Sequence, residues 1–477
     1  MRVTIKNIPF IVILVVISIY TTLCLGAVTW SCYTSESTEG GLPSDQVYSI
    51  AIDKDGNKWI GTREDTDREI LAAVVKFDGQ TWTNQNLDLS SHPEDPDLNN
   101  RIWIIFIDSK NNIWVGTHGD GLFKFDGSDW TTYTTADGLG GDYIRDIVQD
   151  ADGKLWIGCG PEPDTNPIGI GGLSKYDGTS FTRYLSDYSG GENVGGGNSG
   201  LADNYVYALT IDHAGNIWAG TKGNGVSKLS TSGEWTNYNR TNSSLPDDII
   251  SAGAADTDKN GCVWMGFSSS SDRGAAYFCG STWQHEYYFL SYSARIRDIV
   301  HDHYGNVWFG DKSADPDGLF KLDSDNNWSN WNADNSGLTN DGINMIAIEH
   351  ATGDVWIATD GGGLCVLSGV IDPSTLDDQK SDVLEDYKLS QNYPNPFNPQ
   401  TSIEYSLNKT QHVELILYDL NGKLIRSLVN TQKSAGIHTI QWDGRDEHGR
   451  FVGSGIYIYK ITTDLGYNQN KKALLLR

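Results

Sequence analysis

The stretch NNIWVGTHGDGLFKFDGSDWTTY at residues 111–133 returns in recognisable form six more times before residue 370. A repeat of this kind constrains the fold more than composition does. A unit too small to cover its own apolar faces has to stack on copies of itself. Tryptophans of the Ile-Trp-Val-Gly-Thr type fall at Trp59, Trp114, Trp156, Trp218, Trp264, Trp308 and Trp356, spaced by 55, 42, 62, 46, 44 and 48 residues. Each unit reads as four short strands: an apolar run such as VYSIAID, a turn such as DKDGN, a second strand such as KWIGT, then GLFKFDG and WTTY. The runs are rich in Ile, Val, Thr and aromatics and are separated by Gly, Asn and Asp, which is hairpin chemistry. Radial stacking of such sheets is a β-propeller.

Counting strands gives the size of the ring. There are seven copies of strands one to three but only six fourth strands, headed by Trp82, Trp130, Phe181, Trp235, Trp283 and Trp328. The missing one is expected at the other end of the chain, in TWSCY at residues 29–33. The reading is therefore an all-β chain whose seven-bladed propeller is closed by its N-terminal strand. Aligning the last unit on the second puts Cys32 opposite Cys365, so a disulfide between them is expected to pin the closing strand. Cross-linking so long a loop is worth roughly 4–5 kcal/mol in the chain-entropy model. Cys262 and Cys279 flank a hairpin and form a second candidate pair, which leaves Cys159 over.

Such bridges need an oxidising compartment, and the N-terminus supplies a route to one. Arg2 and Lys6 precede the apolar stretch IPFIVILVVISIYTTLCLG, and small residues follow at Gly26 and Ala27. This is the layout of a signal peptide over residues 1–26; an uncleaved membrane anchor is the rival reading. On the first reading the protein meets a membrane only through this segment before cleavage, and is expected outside the cell or on its outer surface, by way of the periplasm. The net charge of −27 argues against nucleic acid as a partner, since phosphate binding needs a basic patch.

After Gly369 the text changes. Residues 370–386 are polar and acidic and read as a linker. Residues 387–477 alternate apolar and polar residues between Asn-Gly and His-Gly turns, enough for a small Ig-like β-sandwich. This segment carries 11 cations against 7 anions, whereas residues 27–386 carry a net −33. The propeller repeats over roughly residues 28–369, typified by NNIWVGTHGDGLFKFDG, resemble those in periplasmic sensor regions of bacterial hybrid two-component regulators. Those regulators continue into a membrane helix and a histidine kinase, and this sequence is not expected to. The C-terminal segment closely resembles the type A sorting domain of the bacterial type IX secretion system. The matching residues are Tyr393 to Pro399, Tyr418-Asp419, Gly422, Ala435-Gly436, Trp442-Asp443-Gly444, Gly455-Ile456-Tyr457 and the basic, apolar tail from Lys471. That resemblance implies the type IX secretion machinery as a partner and removal of the domain during release or surface attachment.

A binding site is expected at the mouth of the ring, which receives the second residue of each first strand: Tyr48, Trp103, Arg145, Tyr207, Arg297 and Asn344. The repeated IRDIV adds Asp146 and Asp298, and neighbouring loops offer Arg63, His118, Asp120, Lys222, Asp311, Lys312 and Asp360. Aromatic faces beside Arg and Asp suit a sugar or another small polar ligand. No nucleophile elbow, phosphate loop or metal-ligand spacing is evident, so neither a cofactor nor a metal is expected. His213, His303 and His350 follow acidic residues in turns on the opposite rim and are expected to lie apart. The functional reading is a non-catalytic recognition module for a glycan, peptide or protein. Its alternatives are an extracellular polysaccharide lyase or glycoside hydrolase on the same ring, and a structural surface-layer protein.

Overall fold

The computed structural model describes residues 28–370, apart from 64–71, 88, 90–101, 161–170, 190, 191, 194, 269–272, 287–293 and 314–316. It also describes residues 387–476, apart from 390, 391, 393, 394, 396, 408–410, 420–422, 434, 435 and 465–467. The expected signal peptide and all but the first residue of the expected linker lie outside the described residues. The chain divides into two compact units, Met1–Asp372 and Pro373–Arg477.

Among the described residues the first unit contains seven four-stranded antiparallel sheets. Their innermost strands are Val47–Ile52, Ile102–Ile107, Tyr143–Gln149, Val206–Ile211, Ile250–Thr257, Ile296–His301 and Ile343–Glu349, which number sheets one to seven. Each innermost strand packs against that of the next sheet, and Ile343–Glu349 packs against Val47–Ile52, so the series returns to its start. In the seventh sheet the outer strand is Thr29–Tyr33, paired to Leu364–Ser368 with Cys32 opposite Cys365. A disulfide joins these two cysteines, and a second joins Cys262 to Cys279. A short hairpin of Tyr188–Ser189 and Glu192–Asn193, not expected from the repeat, sits between the third and fourth sheets in sequence.

The recurrent Trp-x-Gly-Thr has one physical duty per residue. The Trp indole N–H donates to the carboxylate six residues earlier: Trp59 to Asp53, Trp114 to Asp108, Trp156 to Asp150, Trp218 to Asp212, Trp264 to Asp258 and Trp308 to Asp302, all at 2.8–3.0 Å. The other carboxylate oxygen accepts backbone N–H groups of the turn, as Asp53 does from Asp55 and Asn57. The Gly lets the next sheet approach. A Cβ on Gly61 would lie 2.3 Å from Ile102 Cγ2, and one on Gly220 2.6 Å from Ile250 Cγ2. The Thr hydroxyl closes the following loop, donating to Gly121, Gly225 and Gly363 carbonyls from Thr117, Thr221 and Thr359. Above the indoles, strand-three lysines cap the rings: Lys175 lies 4.7 Å from the Trp156 centroid and Lys228 4.9 Å from that of Trp218.

The second unit is a two-layer sandwich. A three-stranded sheet of Tyr387–Leu389, Thr401–Leu407 and Gly436–Trp442 shares one core with a four-stranded sheet of Leu424–Lys433, Gln411–Asp419, Gly455–Thr463 and Asn468–Leu475. Strict alternation of buried residues along Thr401–Leu407 is the pleat expressed in sequence. Asn395 and Phe397 fasten the tail strand. Asn395 Oδ1 accepts the Leu474 N–H at 2.8 Å, Phe397 N–H donates to the Leu474 carbonyl, and the Phe397 carbonyl accepts from Leu476.

Candidate functional site

Every innermost strand except the fifth skips one residue in its pairing with strand two. The skips fall between Val47 and Ser49, Ile102 and Ile104, Ile144 and Asp146, Val206 and Ala208, Ile296 and Asp298, and Ile343 and Met345. The skipped residues are Tyr48, Trp103, Arg145, Tyr207, Arg297 and Asn344. A β-bulge inserts one residue that the ladder does not hold and re-aims its side chain. Six sheets therefore each send one polar or aromatic side chain to the same end of the ring. The fifth differs: Ser251–Ala254 all lie between the paired residues Ile250 and Ala255. All four are small, so the innermost strand of the fifth sheet sends no bulky side chain inward.

These side chains meet across the ring. The Arg145 guanidinium lies 4.3 Å from the Trp103 ring centroid and 5.4 Å from that of Tyr207. Arg297, from the sixth sheet, lies 4.6 Å from Trp103 of the second and donates to the Ala252 carbonyl of the fifth. Tyr48 sits 5.9 Å from Trp103 and carries the Lys312 ammonium at 4.4 Å. Lys312 also donates to Tyr48 Oη and Asn344 Oδ1 and pairs with Asp360 at 3.3 Å. Asn344 Nδ2 donates to the Val47 carbonyl at 2.8 Å, linking sheet seven to sheet one. His118 stacks on Trp103 and meets Tyr143 edge-on. Lys222 lies over Tyr205, an aromatic one strand position outside the sequence pattern used to find the others.

The guanidinium groups of Arg145 and Arg297 both lie over the Trp103 ring. The two aspartates that follow these arginines bond elsewhere. Asp146 accepts the Leu209 N–H at 2.7 Å and Asp298 the Ile346 N–H at 2.6 Å, each from the next innermost strand. Ser49 does the same for Ile105, and the Met345 sulfur for Ile50. The inner edge of such a strand has no strand beside it, so its N–H groups need side-chain acceptors. Burial pushes the Asp146 pKa up to about 7 and that of Asp298 to about 8, against the lowering effect of those hydrogen bonds.

One expectation is corrected on the opposite rim. His303 and His350 are not apart: their Nδ1 atoms lie 3.0 Å from each other, because adjacent sheets bring equivalent turns together. Among the described residues no group of three His, Cys, Asp or Glu side chains could hold a metal ion, and no helix is long and apolar enough to cross a membrane.

Comparison with known proteins speaks to both units. The two component regulator propeller model matches residues 41–64, 97–119, 138–160 and 200–223, spans that hold most or all of the first hairpin of sheets one to four. The FlgD Ig-like domain model matches residues 398–466. No curated protein matches the sequence. Among solved structures, the chain is similar to the extracellular domain assigned to the hybrid two component system BT3049 of B. thetaiotaomicron. That match has 15% identity and a TM-score of 0.54, covering 94% of this chain and 57% of that one. PorZ, an essential surface component of the type-IX secretion system of Porphyromonas gingivalis, matches at 20% identity and a TM-score of 0.49, over 91% of this chain and 59% of that one. Virginiamycin B lyase from Staphylococcus aureus, a catalytically inactive variant with quinupristin, matches at 13% and 0.48, over 72% and 99%. The chain spans less than two thirds of the first two proteins. The first unit is a β-propeller containing two-component-regulator propeller repeats, and the second contains an Ig-like domain.

Proposed function

We propose that this protein is a secreted or cell-surface recognition module, a seven-bladed propeller that holds a glycan, peptide or protein ligand without turning it over. On this reading residues 1–26 are removed on export, residues 27–369 form the ring, and residues 387–477 are a sorting domain read by the type IX secretion machinery. The observation that carries the binding role is the convergence of Tyr48, Trp103, Arg145, Tyr207, Arg297 and Asn344 from six sheets on one end of the ring. A bulge spends a ladder position to re-aim one residue, and six such bulges in phase suit a shared target. The export role is supported by the sequence resemblance of the C-terminal unit and by the disulfides, which need an oxidising compartment.

The test is a glycan and peptide array probed with the mature protein and with an Arg145→Ala/Arg297→Ala variant. Retained binding partners that the variant loses are the expected result. Turnover of any polymer without a stable complex would replace this reading with the enzyme reading.

A further inference from the structure

The second unit carries a face that its core does not use. Along Gln411–Asp419 and Gly455–Thr463 buried residues alternate with less buried ones, so one set faces the core and the other faces outward. Cross-strand register arranges the outward set in rows. Leu424, Tyr418, Ile458 and Lys472 lie side by side across all four strands. On one side of that row Ile456 pairs with Leu474, and on the other Ile416 pairs with Lys460. Leu424 is 48% exposed and Ile456 39%. The outward face of an antiparallel sheet is ordinarily polar. This one becomes so only farther along, where Asn430, Glu414 and Thr462 form the next row.

An apolar end on such a face marks an interaction surface, and the charges around it indicate the partner. The three apolar rows contain lysines and no acid. From Tyr387 onward the sequence has 11 cations against 7 anions, in a chain of net charge −27. Among the described residues the arginines of this unit are engaged by acids: Arg426 and Arg445 by Asp443, and Arg450 by Asp446. The cation beside Ile416 is a lysine, whereas protein interfaces favour arginine and are depleted of lysine. A lysine stem lies along apolar surface while its ammonium reaches a polar layer, which suits lipid headgroups. Tyr418 combines an apolar ring with a polar tip, a pairing favoured at the same depth. A second copy of this face would bring charge of the same sign.

We propose that this outward face, centred on Leu424, Tyr418, Ile456 and Ile458, docks on an anionic membrane surface. Apolar contact with the headgroup boundary holds it, together with the attraction of lipid phosphates to Lys460 and to the net positive charge of the unit. The proposal concerns the second unit alone and is independent of the recognition reading of the ring. It adds a membrane contact to the one expected of residues 1–26 before cleavage.

Co-sedimentation of the chain from residue 27 onward with lipid vesicles tests this, using phosphatidylcholine alone and phosphatidylcholine mixed with phosphatidylglycerol. Binding to the mixed vesicles is expected to be at least roughly tenfold tighter than to the neutral ones. It should weaken as salt rises from about 0.05 to about 0.5 M. Leu424→Ser/Ile456→Ser removes two exposed aliphatic groups and should weaken it roughly tenfold at an unchanged melting temperature. Should that variant melt early, Leu424→Ser alone carries the same test at the more exposed position. Lys460→Gln should weaken binding roughly fivefold, and Lys110→Gln, at an exposed propeller turn, should leave it unchanged. A Leu424→Ser/Ile456→Ser protein that melts like the wild type and binds at full strength overturns the proposal. So does failure of the unaltered chain to bind the mixed vesicles. Equal binding to both kinds of vesicle overturns the anionic requirement. Vesicles ignored while polyglutamate binds, and is lost with Lys460→Gln, would give the face to an acidic protein instead. A dimer in sedimentation velocity that Leu424→Ser/Ile456→Ser abolishes, without vesicle binding, would give it to a second copy.

Discussion

Asp298 titrates against the fold. Burial raises its pKa to about 8 from an ordinary value near 4, so the folded state prefers the protonated acid. Above the unfolded pKa the unfolded chain ionises more readily, and stability is lost as pH rises from about 4 towards 8. Asp298→Asn keeps an acceptor for the Ile346 N–H and removes the titration. Its melting temperature is expected to exceed that of the wild type at pH 8, with the gap closing at pH 4. Asp298→Ala should melt lower than Asp298→Asn at both, because it leaves the Ile346 N–H without its acceptor. Thermal melts across that range check this, and a pH-independent difference would refute it. The aspartates were visible in sequence as a doubled IRDIV, but their role was not. A one-residue shift in pairing decides which way a side chain faces, and only the bulge before Asp146 and Asp298 turns Arg145 and Arg297 towards the ring's centre and the acids towards the next strand.

Within one sheet, the inner hairpin is the unit that its sequence specifies most tightly. Burial pushes up the pKa of Asp108, but hydrogen bonds from Asn112, Trp114 and the turn's own N–H groups outweigh it and hold the carboxyl below its usual range. That contribution is present at neutral pH and is lost as pH falls below the ordinary carboxylate value. Trp114→Phe keeps most of the ring packing and removes the donor, so it should cost about 1 kcal/mol at pH 7 and less at pH 3, read by denaturant unfolding. Gly220→Val should cost more, roughly 3 kcal/mol, because its side chain meets Ile250 of the next sheet. Strand order and turn positions were legible because Gly, Asn and Asp punctuate each unit. The spacing of six between Asp and Trp was equally visible, at Asp53 and Trp59 for example, yet a hydrogen bond from a distant indole has no signature in hairpin statistics. The seventh unit departs from the spacing: Glu349 takes the acid's place seven residues before Trp356, bonding its indole at 3.1 Å and Lys58 at 2.8 Å. A longer side chain serves a longer turn.

For the molecule as a whole, the ring was readable by arithmetic: one unit lacks an outer strand and one strand lacks a unit. The mouth was readable only in part. Its six residues share a strand position, but what they do to each other depends on sheets far apart in sequence, as when Arg297 reaches Trp103 across 194 residues. No local pattern encodes that meeting. Removing the Cys32–Cys365 bridge, whose partners are 333 residues apart, should lower stability by roughly 5 kcal/mol in the chain-entropy account. A Cys32→Ser/Cys365→Ser protein is expected to melt earlier and to expose residues 29–33 to protease first. Equal melting of the variant and the oxidised wild type would show that the strand's hydrogen bonds hold it unaided.

The placement of Thr29–Tyr33 also sets an order of events. Its hydrogen-bonding partner, Leu364–Ser368, is among the last parts of the propeller to be synthesised. The propeller's first strand therefore waits for its last, and until then Leu364–Ser368 has no strand on its outer side. Until the two meet, the outer edge of Leu364–Ser368 is the predictable place for a chaperone to sit.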